Sequence, residues 1–287
     1  MRHLAKYDER LGEEWMNLPT NITLNNGVEM PILGLGTYLI KPEETRKVVL
    51  DALSMGYRHI DTAAFYNNEA AVGEAVRDSG LRREEVFITS KVWNTDHGYK
   101  EARAAFERSL QRLGLDYVDL YLIHWPMPKR LETWKALEAI YEEGLVRAIG
   151  VSNFVPRHLD ELLATGSIIP AVDQIEMHPF LARKDVLEYC KENNISVEAF
   201  SPLARGRHLD HPVLVKIAKR NGRTPAQVMI RWCLQKGATA IPKSVHPVRM
   251  RENLRALDFS LSSEDVAALD NLDRNARTTT WDPYTFI

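Results

Sequence analysis

The sequence predicts an α/β fold, namely a single (β/α)8 TIM barrel with an N-terminal β-hairpin plug and an extra C-terminal helix. Two observations lead to this prediction. Eight short apolar segments alternate with segments of helical periodicity, a pattern typical of parallel strands that are covered by helices. The length of 287 residues suits one barrel, because such barrels use about 250 residues as one domain.

A turn signal precedes the first of these apolar segments. Asn26 and Gly27 lie between apolar residues, which predicts a hairpin with a two-residue loop. In a barrel, this hairpin could plug one end. Residues 1–20 are rich in charged side chains and are predicted to form a polar extension, so the barrel domain is predicted to span residues 21–287.

The predicted barrel strands are short runs that contain mostly apolar residues. They are residues 32–36, 58–62, 86–92, 118–124, 146–152, 171–176, 195–200 and 238–243.

Proline, glycine and capping residues mark several helix ends. Pro42 opens the first predicted barrel helix, and Gly56 follows its end, as is common at these two positions. The stretch 224–227 (Thr-Pro-Ala-Gln) has the pattern of a capping box, and Gly237 closes that helix. Additional helices are predicted at 212–220 and from Ser262 onward.

A doubly wound parallel sheet is the competing architecture. Its first strand usually leads into a helix through a turn that contains three glycines. Here Gly34 and Gly36 are followed by Thr-Tyr-Leu-Ile, so the third glycine is missing and no helix begins there. The barrel also explains the number of strands and the hairpin, and we therefore prefer it.

The composition argues against several classes of protein. Apolar and charged fractions of 45% and 26% are those of an ordinary globular protein. The net charge of −2 gives no electrostatic footprint for nucleic-acid binding, and no apolar run approaches the roughly 20 residues of a membrane span. Cys190 and Cys233 lie in apolar helical patterns, which indicates buried thiols in a reducing compartment. We expect a cytoplasmic monomer.

Polar residues lie at the ends of the predicted strands, where barrels build their active sites. Asp61, Lys91 and His124 end the second, third and fourth strands, and Tyr66 follows in the loop after Asp61. Each of them alone could be a buried core group or a helix cap, but their convergence on one opening favours catalysis. The other strands end in or contain Gly36 and Thr37, Ser152 and Asn153, Gln174, Ser201, and Lys243 and Ser244.

These four residues together predict a tyrosine that acts as a general acid. The pKa of a free tyrosine is about 10, and a neighbouring ammonium lowers it by favouring the phenolate. Lys91 is therefore expected to lower the pKa of Tyr66, Asp61 to hold Lys91 charged, and His124 to orient a carbonyl or share the proton. None of them supplies electrons, so a hydride donor must come from a cofactor. No metal is expected, because His-rich or Cys-rich ligand spacings are absent.

Five segments, in this order, resemble the motifs of the aldo-keto reductase superfamily. They are GYRHIDTAAFYNNE (56–69), LGLDYVDLYLIHWP (113–126), VRAIGVSNF (146–154), QIEMHP (174–179) and IPKSVHPVRMREN (241–253). The resemblance covers the chain from about residue 21 onward. It is strongest to the small bacterial and protozoan reductases of the diketo-gluconate reductase and glyoxal reductase type. It implies a barrel that reduces aldehydes and ketones with NADPH, without a Rossmann domain.

The resemblance also implies the roles of individual residues. Tyr66 would be the general acid, Lys91 and Asp61 would tune it, and His124 would orient the substrate. Lys243 and Arg249 would face a 2′-phosphate, which favours NADPH over NADH because an arginine fork suits phosphate oxygens. The residues implied to contact the cofactor are Gly36, Thr37, Asp61, Ser152, Asn153, Gln174, Phe200, Ser201, Pro202, Leu203, Lys243, Ser244, Val245, Arg249, Glu252 and Asn253. Either Arg205 or Arg207 would cover the phosphates, unless both are solvated surface charges.

By the same resemblance, Tyr38, Trp93, His124 and Trp125 would line the substrate pocket. Trp281 and Phe286, in the C-terminal tail, are candidates for its rim. The expected substrates are small aldehydes, dicarbonyls or keto-sugars. Two alternatives stay open at this point, namely a non-catalytic relative that binds the cofactor and regulates a partner, and an aldolase in which Lys91 forms a Schiff base.

Overall fold

The structure, a computed structural model, describes residues 20–286. Eight parallel strands follow one another in chain order around a barrel, as predicted. The barrel strands are β3 (Leu35–Gly36), β4 (His59–Asp61), β5 (Phe87–Val92), β6 (Val118–Ile123), β7 (Val146–Ser152), β8 (Val172–Glu176), β9 (Ser196–Phe200) and β10 (Thr239–Ala240).

The barrel closes between its first and last strands. The Gly34 amide donates to the Ala240 carbonyl at 2.9 Å, and the Ala240 amide donates to the Ile32 carbonyl at 2.9 Å. Leu33 forms a single parallel bridge with Ala240. Because pairing at this seam is so short, β3 and β10 span two residues each and are shorter than the predicted segments 32–36 and 238–243.

Ten α-helices lie within the described residues. They are α1 (Pro42–Ser54), α2 (Glu69–Asp78), α3 (Tyr99–Leu113), α4 (Arg130–Glu142), α5 (Pro156–Thr165), α6 (Lys184–Glu192), α7 (Pro212–Arg220), α8 (Pro225–Gln235), α9 (Pro247–Leu254) and α10 (Ser263–Asp270).

The predicted helix ends are confirmed where the sequence marked them. Pro42 begins α1, and the α7 range agrees with the predicted one. The Thr224 hydroxyl accepts from the Gln227 amide at 3.3 Å, while the Gln227 side chain accepts from the Thr224 amide at 2.9 Å. This reciprocal pair is the predicted capping box. Ser262 caps α10, the extra C-terminal helix.

The N-terminal hairpin pairs β1 (Asn21–Thr23) with β2 (Glu29–Pro31). Its loop is one residue longer than predicted, because the amide of Leu24 donates to the carbonyl of Val28. This leaves residues 25–27 as the loop, in which Gly27 takes the left-handed conformation with a φ of 83°, one that glycine adopts without steric cost.

The hairpin acts as a plug, as predicted. Leu24 and Met30 are buried in an apolar cluster with residues of the barrel interior. The barrel members of this cluster are Phe87, Leu120, Leu122, Ala148, Ala171 and Val172. Since Phe87 and Val172 begin their strands, the hairpin covers the amino-terminal end of the barrel and leaves the carboxyl end open.

Two further expectations concern burial and membranes. Cys190 and Cys233 are free and buried, and burial raises the pKa of both thiols. No helix among the described residues is long and apolar enough to cross a membrane. The predicted polar extension lies almost entirely in residues 1–19, outside the described part of the chain.

Candidate active site

A cavity of about 920 Å³ opens at the carboxyl ends of the barrel strands. The residues singled out as candidate catalytic, cofactor or substrate residues border it, except Thr37, Lys91, Arg207 and Phe286. The sequence did not single out nine others that also border it, namely Leu39, Phe65, Gly206, Leu209, Ala226, Ile241, His246, Thr279 and Thr280. Phe65 could have been identified from the sequence, because it immediately precedes Tyr66.

A buried ion pair lies beneath the cavity floor. Lys91 Nζ donates to Asp61 Oδ2 at 2.6 Å and to the Thr62 carbonyl at 2.9 Å. Burial raises the pKa of Asp61, and the Lys91 ammonium opposes this shift. Lys91 is fully buried, so its amine is shielded from the cavity by Asp61 and the loop that carries Tyr66.

Tyr66 stands above this pair, on a short 3-10 turn (Ala64–Tyr66) that follows β4. The Lys91 Nζ lies 5.2 Å from the centre of its ring, and the ring centroids of Tyr38 and His124 lie at 5.0 and 5.7 Å. Its hydroxyl makes no hydrogen bond with any described residue, so its proton is available to a ligand in the cavity.

The expectation of a lowered Tyr66 pKa is not met, because the net shift is upward. Burial raises the pKa of Tyr66 well above 10, and the charge of Asp61 raises it further. The ammonium of Lys91 does not reverse this shift, because Asp61, 2.6 Å away, offsets part of its charge. Tyr66 is therefore protonated at neutral pH, which is the form that a general acid requires.

His124 follows β6 and faces the same part of the cavity. Burial lowers the pKa of its imidazole well below 6.5, and the charge of Lys91 lowers it further. Its Nδ1 is buried and has no hydrogen-bond partner in the described part of the chain. A neutral imidazole beside Tyr66 can donate one hydrogen bond to a carbonyl oxygen without adding a charge.

Amide side chains from β7 and β8 line the adjoining wall. Asn153 Nδ2 donates to the His124 carbonyl at 2.9 Å and to Ser152 Oγ at 3.0 Å. Gln174 Nε2 donates to Asp61 Oδ2 at 2.8 Å and to Glu198 Oε2 at 2.5 Å. The donors of both amides are thus engaged, and neither amide oxygen has a partner among residues 20–286. These oxygens can accept hydrogen bonds from a ligand.

Two predicted cofactor residues have clear structural roles. Thr37 is fully buried, and its hydroxyl donates to the Asp61 carbonyl at 2.9 Å. It supports the main chain at Asp61, and its side chain does not border the cavity. Gly36 borders the cavity, and a Cβ there would lie 2.8 Å from the Ile241 carbonyl oxygen, so only glycine fits.

The cavity lining also carries positive charge. Lys243 and Arg249 are exposed, and neither forms an ion pair with an acidic residue of the described chain. Of the two arginines considered for the β9–α7 loop, Arg205 borders the cavity and Arg207 does not. The Arg205 guanidinium carbon lies 5.7 Å from the ring centre of Tyr38, across the opening.

Aromatic side chains form the wall opposite the amides. Trp93 stacks on Phe65 with ring centroids 3.9 Å apart and an interplanar angle of 18°. Trp281, from the C-terminal tail, lies 6.2 Å from Trp93 and 5.2 Å from Trp125 between ring centroids. Phe286 packs on Trp125 at 5.6 Å behind this wall and does not border the cavity itself.

Glu176, at the end of β8, anchors the tail. Its carboxylate accepts from the Thr278 amide at 2.6 Å and from the Thr279 hydroxyl at 2.7 Å. Burial alone would raise the pKa of Glu176, but the nearby His178 ring and the hydrogen bonds from Thr278 and Thr279 lower it to about 2. The tail is therefore tied to the barrel by an ionised carboxylate next to Trp281.

Comparison with known proteins gives a consistent result. The model described as "Aldo/keto reductase family" matches residues 32–274. The chain is 50% identical to "Glyoxal reductase" of Bacillus subtilis over 263 residues, which cover 91% of this chain and 95% of the relative. It is also 50% identical to "9,11-endoperoxide prostaglandin H2 reductase" of Trypanosoma cruzi over 261 residues, 89% of this chain and 92% of that one.

A solved structure shares the fold. The crystal structure of MGS-M4, an aldo-keto reductase enzyme from a Medee basin deep-sea metagenome library, superposes with a TM-score of 0.89 at 44% identity. The match covers 91% of this chain and 98% of MGS-M4.

Proposed function

Because the chain belongs to the aldo/keto reductase family, an oxidoreductase family whose members act on carbonyl compounds, we propose that it reduces aldehydes and ketones with NADPH. The observation that supports this proposal best is the convergence of Asp61, Tyr66 and His124 on one cavity that Lys243 and Arg249 also border. Reduction of a carbonyl takes a hydride from NADPH and a proton from Tyr66, and leaves an alcohol, NADP⁺ and a phenolate.

The residues of the cavity fit a nicotinamide dinucleotide phosphate. The unpartnered amide oxygens of Asn153 and Gln174 can accept from a carboxamide group, and the Phe200 side chain borders the cavity beside them. The unpaired cations Lys243 and Arg249 suit the additional phosphate of the cofactor. Ser201, Pro202 and Leu203 also border the cavity. NADH would lose the phosphate contact and bind more weakly.

Tyr66 would donate the proton that the developing alkoxide needs. The raised pKa keeps this proton in place until a substrate oxygen arrives. Lys91 lies 5.2 Å from the ring centre, and its charge would stabilise the phenolate that proton transfer leaves behind. Neutral His124 would hydrogen-bond the carbonyl oxygen and hold it near the phenol. General acid catalysis of this kind contributes about 10²–10⁴-fold to a rate.

The aromatic wall supports small, weakly polar carbonyl compounds as substrates. Phe65, Trp93, Trp125 and Trp281 surround the space next to Tyr66, and planar or apolar groups pack well against such rings. Small aldehydes, dicarbonyls and keto-sugars remain the proposed substrates. The relative from Bacillus subtilis that is called glyoxal reductase supports the dicarbonyls.

The buried position of Lys91 argues against the aldolase alternative. A Schiff base needs an uncharged amine that can reach a substrate carbonyl. Lys91 is fully buried and paired with Asp61 at 2.6 Å, so the amine is neither free nor accessible.

An absorbance assay at the NADPH band tests the proposal. Aldehydes, dicarbonyls and keto-sugars are offered with NADPH and separately with NADH, and Tyr66→Phe serves as the control. Turnover by the wild type that the variant lacks is the expected result. Tight NADPH binding without turnover of any carbonyl would favour the non-catalytic regulatory relative instead.

A further inference from the structure

Asn94 and His97 carry buried polar atoms that none of the roles described so far uses. Asn94 begins a short 3-10 turn (Asn94–Asp96) that follows β5 and Trp93, and His97 caps the end of this turn. In such a turn, side chains three positions apart lie on the same face. Both ring nitrogens of His97 and both polar atoms of the Asn94 amide are buried without a hydrogen-bond partner among residues 20–286. The two side chains therefore form one polar pair whose hydrogen bonds the chain itself does not complete.

This pair lies next to His124. The amide of His124 donates to the Val92 carbonyl at 3.3 Å, and the ring centroids of His124 and Trp93 lie 5.0 Å apart, so the turn starts directly beside the histidine. Burial lowers the pKa of His124, and the charges of Lys91 and His97 lower it further, which requires the two imidazoles to be close. Of the two nitrogens of His124, Nδ1 is the one that is buried without a partner, which leaves Nε2 to face the cavity.

The polar atoms of this site suit a water molecule. Buried polar groups almost always form hydrogen bonds, and ordered water provides those that the chain does not. Burial lowers the pKa of His97 to about 4, so its ring is neutral and offers one donor and one acceptor. A water can donate to His124 Nδ1 and to the Asn94 amide oxygen, and it can accept from the His97 ring. That is within the number of polar partners that buried waters usually have, about two to four.

We propose that Asn94 and His97 are positioning residues that hold a buried water against Nδ1 of His124, and that this water keeps the imidazole proton on Nε2. This inference rests on the proposed function. In a neutral histidine, the hydrogen bond made by one ring nitrogen decides which nitrogen carries the proton. With the proton on Nε2, His124 can donate to a carbonyl oxygen beside Tyr66. The opposite tautomer would turn a lone pair towards that oxygen and repel it.

The tautomer of His124 can be measured directly in the free protein. Long-range proton–nitrogen correlation spectra, recorded on protein labelled at its histidine rings, distinguish ring nitrogens with and without a proton. The signals of His124 are assigned by their loss in His124→Gln. The wild type should carry the proton on Nε2 and none on Nδ1. A proton on Nδ1 of the wild type would overturn the inference, whether or not any variant of the cluster folds.

Asn94→Leu and His97→Leu replace the polar atoms of each side chain with carbon. Loss of one neutral hydrogen bond changes an equilibrium by about two- to tenfold, so each variant should shift the tautomer of His124 towards Nδ1 by about this factor. The value of kcat should fall by a similar factor, while the dissociation constant of NADPH stays unchanged. Because both residues hold the same water, the double variant should be little worse than either single one. His97→Gln, which keeps polar atoms, should retain more of the wild-type kcat than His97→Leu.

Thr95→Ala is the matched control. Thr95 belongs to the same turn, but it is exposed, and its hydroxyl donates to Asp96 Oδ2 at 3.2 Å. This variant should keep the wild-type tautomer and kcat. If kcat falls in Asn94→Leu and His97→Leu while the tautomer of His124 does not change, the two residues are only structural and the inference is overturned, while the proposed function stands. Absence of carbonyl reduction by the wild type would instead contradict the proposed function, whatever the tautomer.

Discussion

Replacing Tyr66 with phenylalanine isolates the proton that the proposed mechanism needs. The ring keeps its neighbours Tyr38, His124 and Lys91. The lost hydroxyl has no hydrogen-bond partner in the described part of the chain, so the free energy of unfolding should change by less than about 1 kcal/mol. We expect normal folding and NADPH binding, but a fall in kcat of about 10²–10⁴-fold, which corresponds to about 3–5 kcal/mol of transition-state stabilisation.

Lys91 should assist the same proton transfer by stabilising the phenolate that Tyr66 becomes. At 5.2 Å from the ring centre, its charge is worth about 3 kcal/mol to the phenolate at an effective dielectric of about 20, before the opposing charge of Asp61 is counted. Lys91→Met alone would leave the Asp61 carboxylate buried and unpaired, which costs about 3–5 kcal/mol of stability. Lys91→Met/Asp61→Asn is therefore the better variant, because it removes both charges together.

Single-turnover rates with saturating NADPH measure the chemical step in these variants. Because Tyr66 and Lys91 act as a unit, adding Tyr66→Phe to the Lys91→Met/Asp61→Asn variant should lower the rate by less than about tenfold further. Cofactor affinity and melting temperature are the controls. If Tyr66→Phe kept more than about a tenth of the wild-type rate, another acid would have to supply the proton, and His124 would be the first candidate.

Three further predictions test other parts of the site. Arg249→Ala should weaken NADPH binding by about 10- to 150-fold, because it loses a charge-assisted contact worth about 1.5–3 kcal/mol. The affinity for NADH should change much less. Equal weakening of both affinities, measured by fluorescence titration, would contradict a 2′-phosphate contact. Trp93→Ala or Trp125→Ala should raise KM for aromatic aldehydes in steady-state assays and leave NADPH affinity nearly unchanged; loss of cofactor binding would assign these indoles to the structure instead. Glu176→Gln should loosen the tail and lower the melting temperature at neutral pH. The pKa of Glu176 is lowered to about 2 in the folded protein, so its carboxylate stabilises the fold fully above its ordinary pKa and loses this effect as the pH falls towards about 2. The difference in melting temperature between the variant and the wild type should therefore narrow between about pH 5 and pH 2. A constant difference would mean that the charge of Glu176 does not hold the tail.

The fold was predictable because parallel strands buried on both faces leave a local signal. Six of the eight predicted strands agree with the observed ones to within a residue at each end. The two longer predictions lie at the closing seam, where apolar residues such as Leu33 and Ile241 are buried without belonging to a paired strand. Burial and strand pairing are different properties, and an apolar run reports only burial.

The candidate site was predictable where it depends on strand ends and less so where it depends on register or on distant contacts. The predicted residues Asp61 and His124 border the cavity because they lie at the end of β4 and just after β6. Gln174 borders it from the middle of β8. Glu198 sits inside an apolar run, and only the pairing of β8 with β9 brings it to Gln174. Glu176 contacts Thr278, which lies 102 residues later in the sequence, and no local sequence pattern predicts such a contact.

The protonation of Tyr66 bears on the direction in which the proposed chemistry runs most easily. Spacing along the sequence pairs Lys91 with Tyr66 and so predicts a phenol of lowered pKa, but it cannot show that Asp61, 2.6 Å from the ammonium, offsets part of its charge. With its pKa raised by burial, Tyr66 carries a proton at neutral pH without help from Lys91. Reduction consumes that proton, whereas oxidation of an alcohol needs the phenolate, which the buried site disfavours.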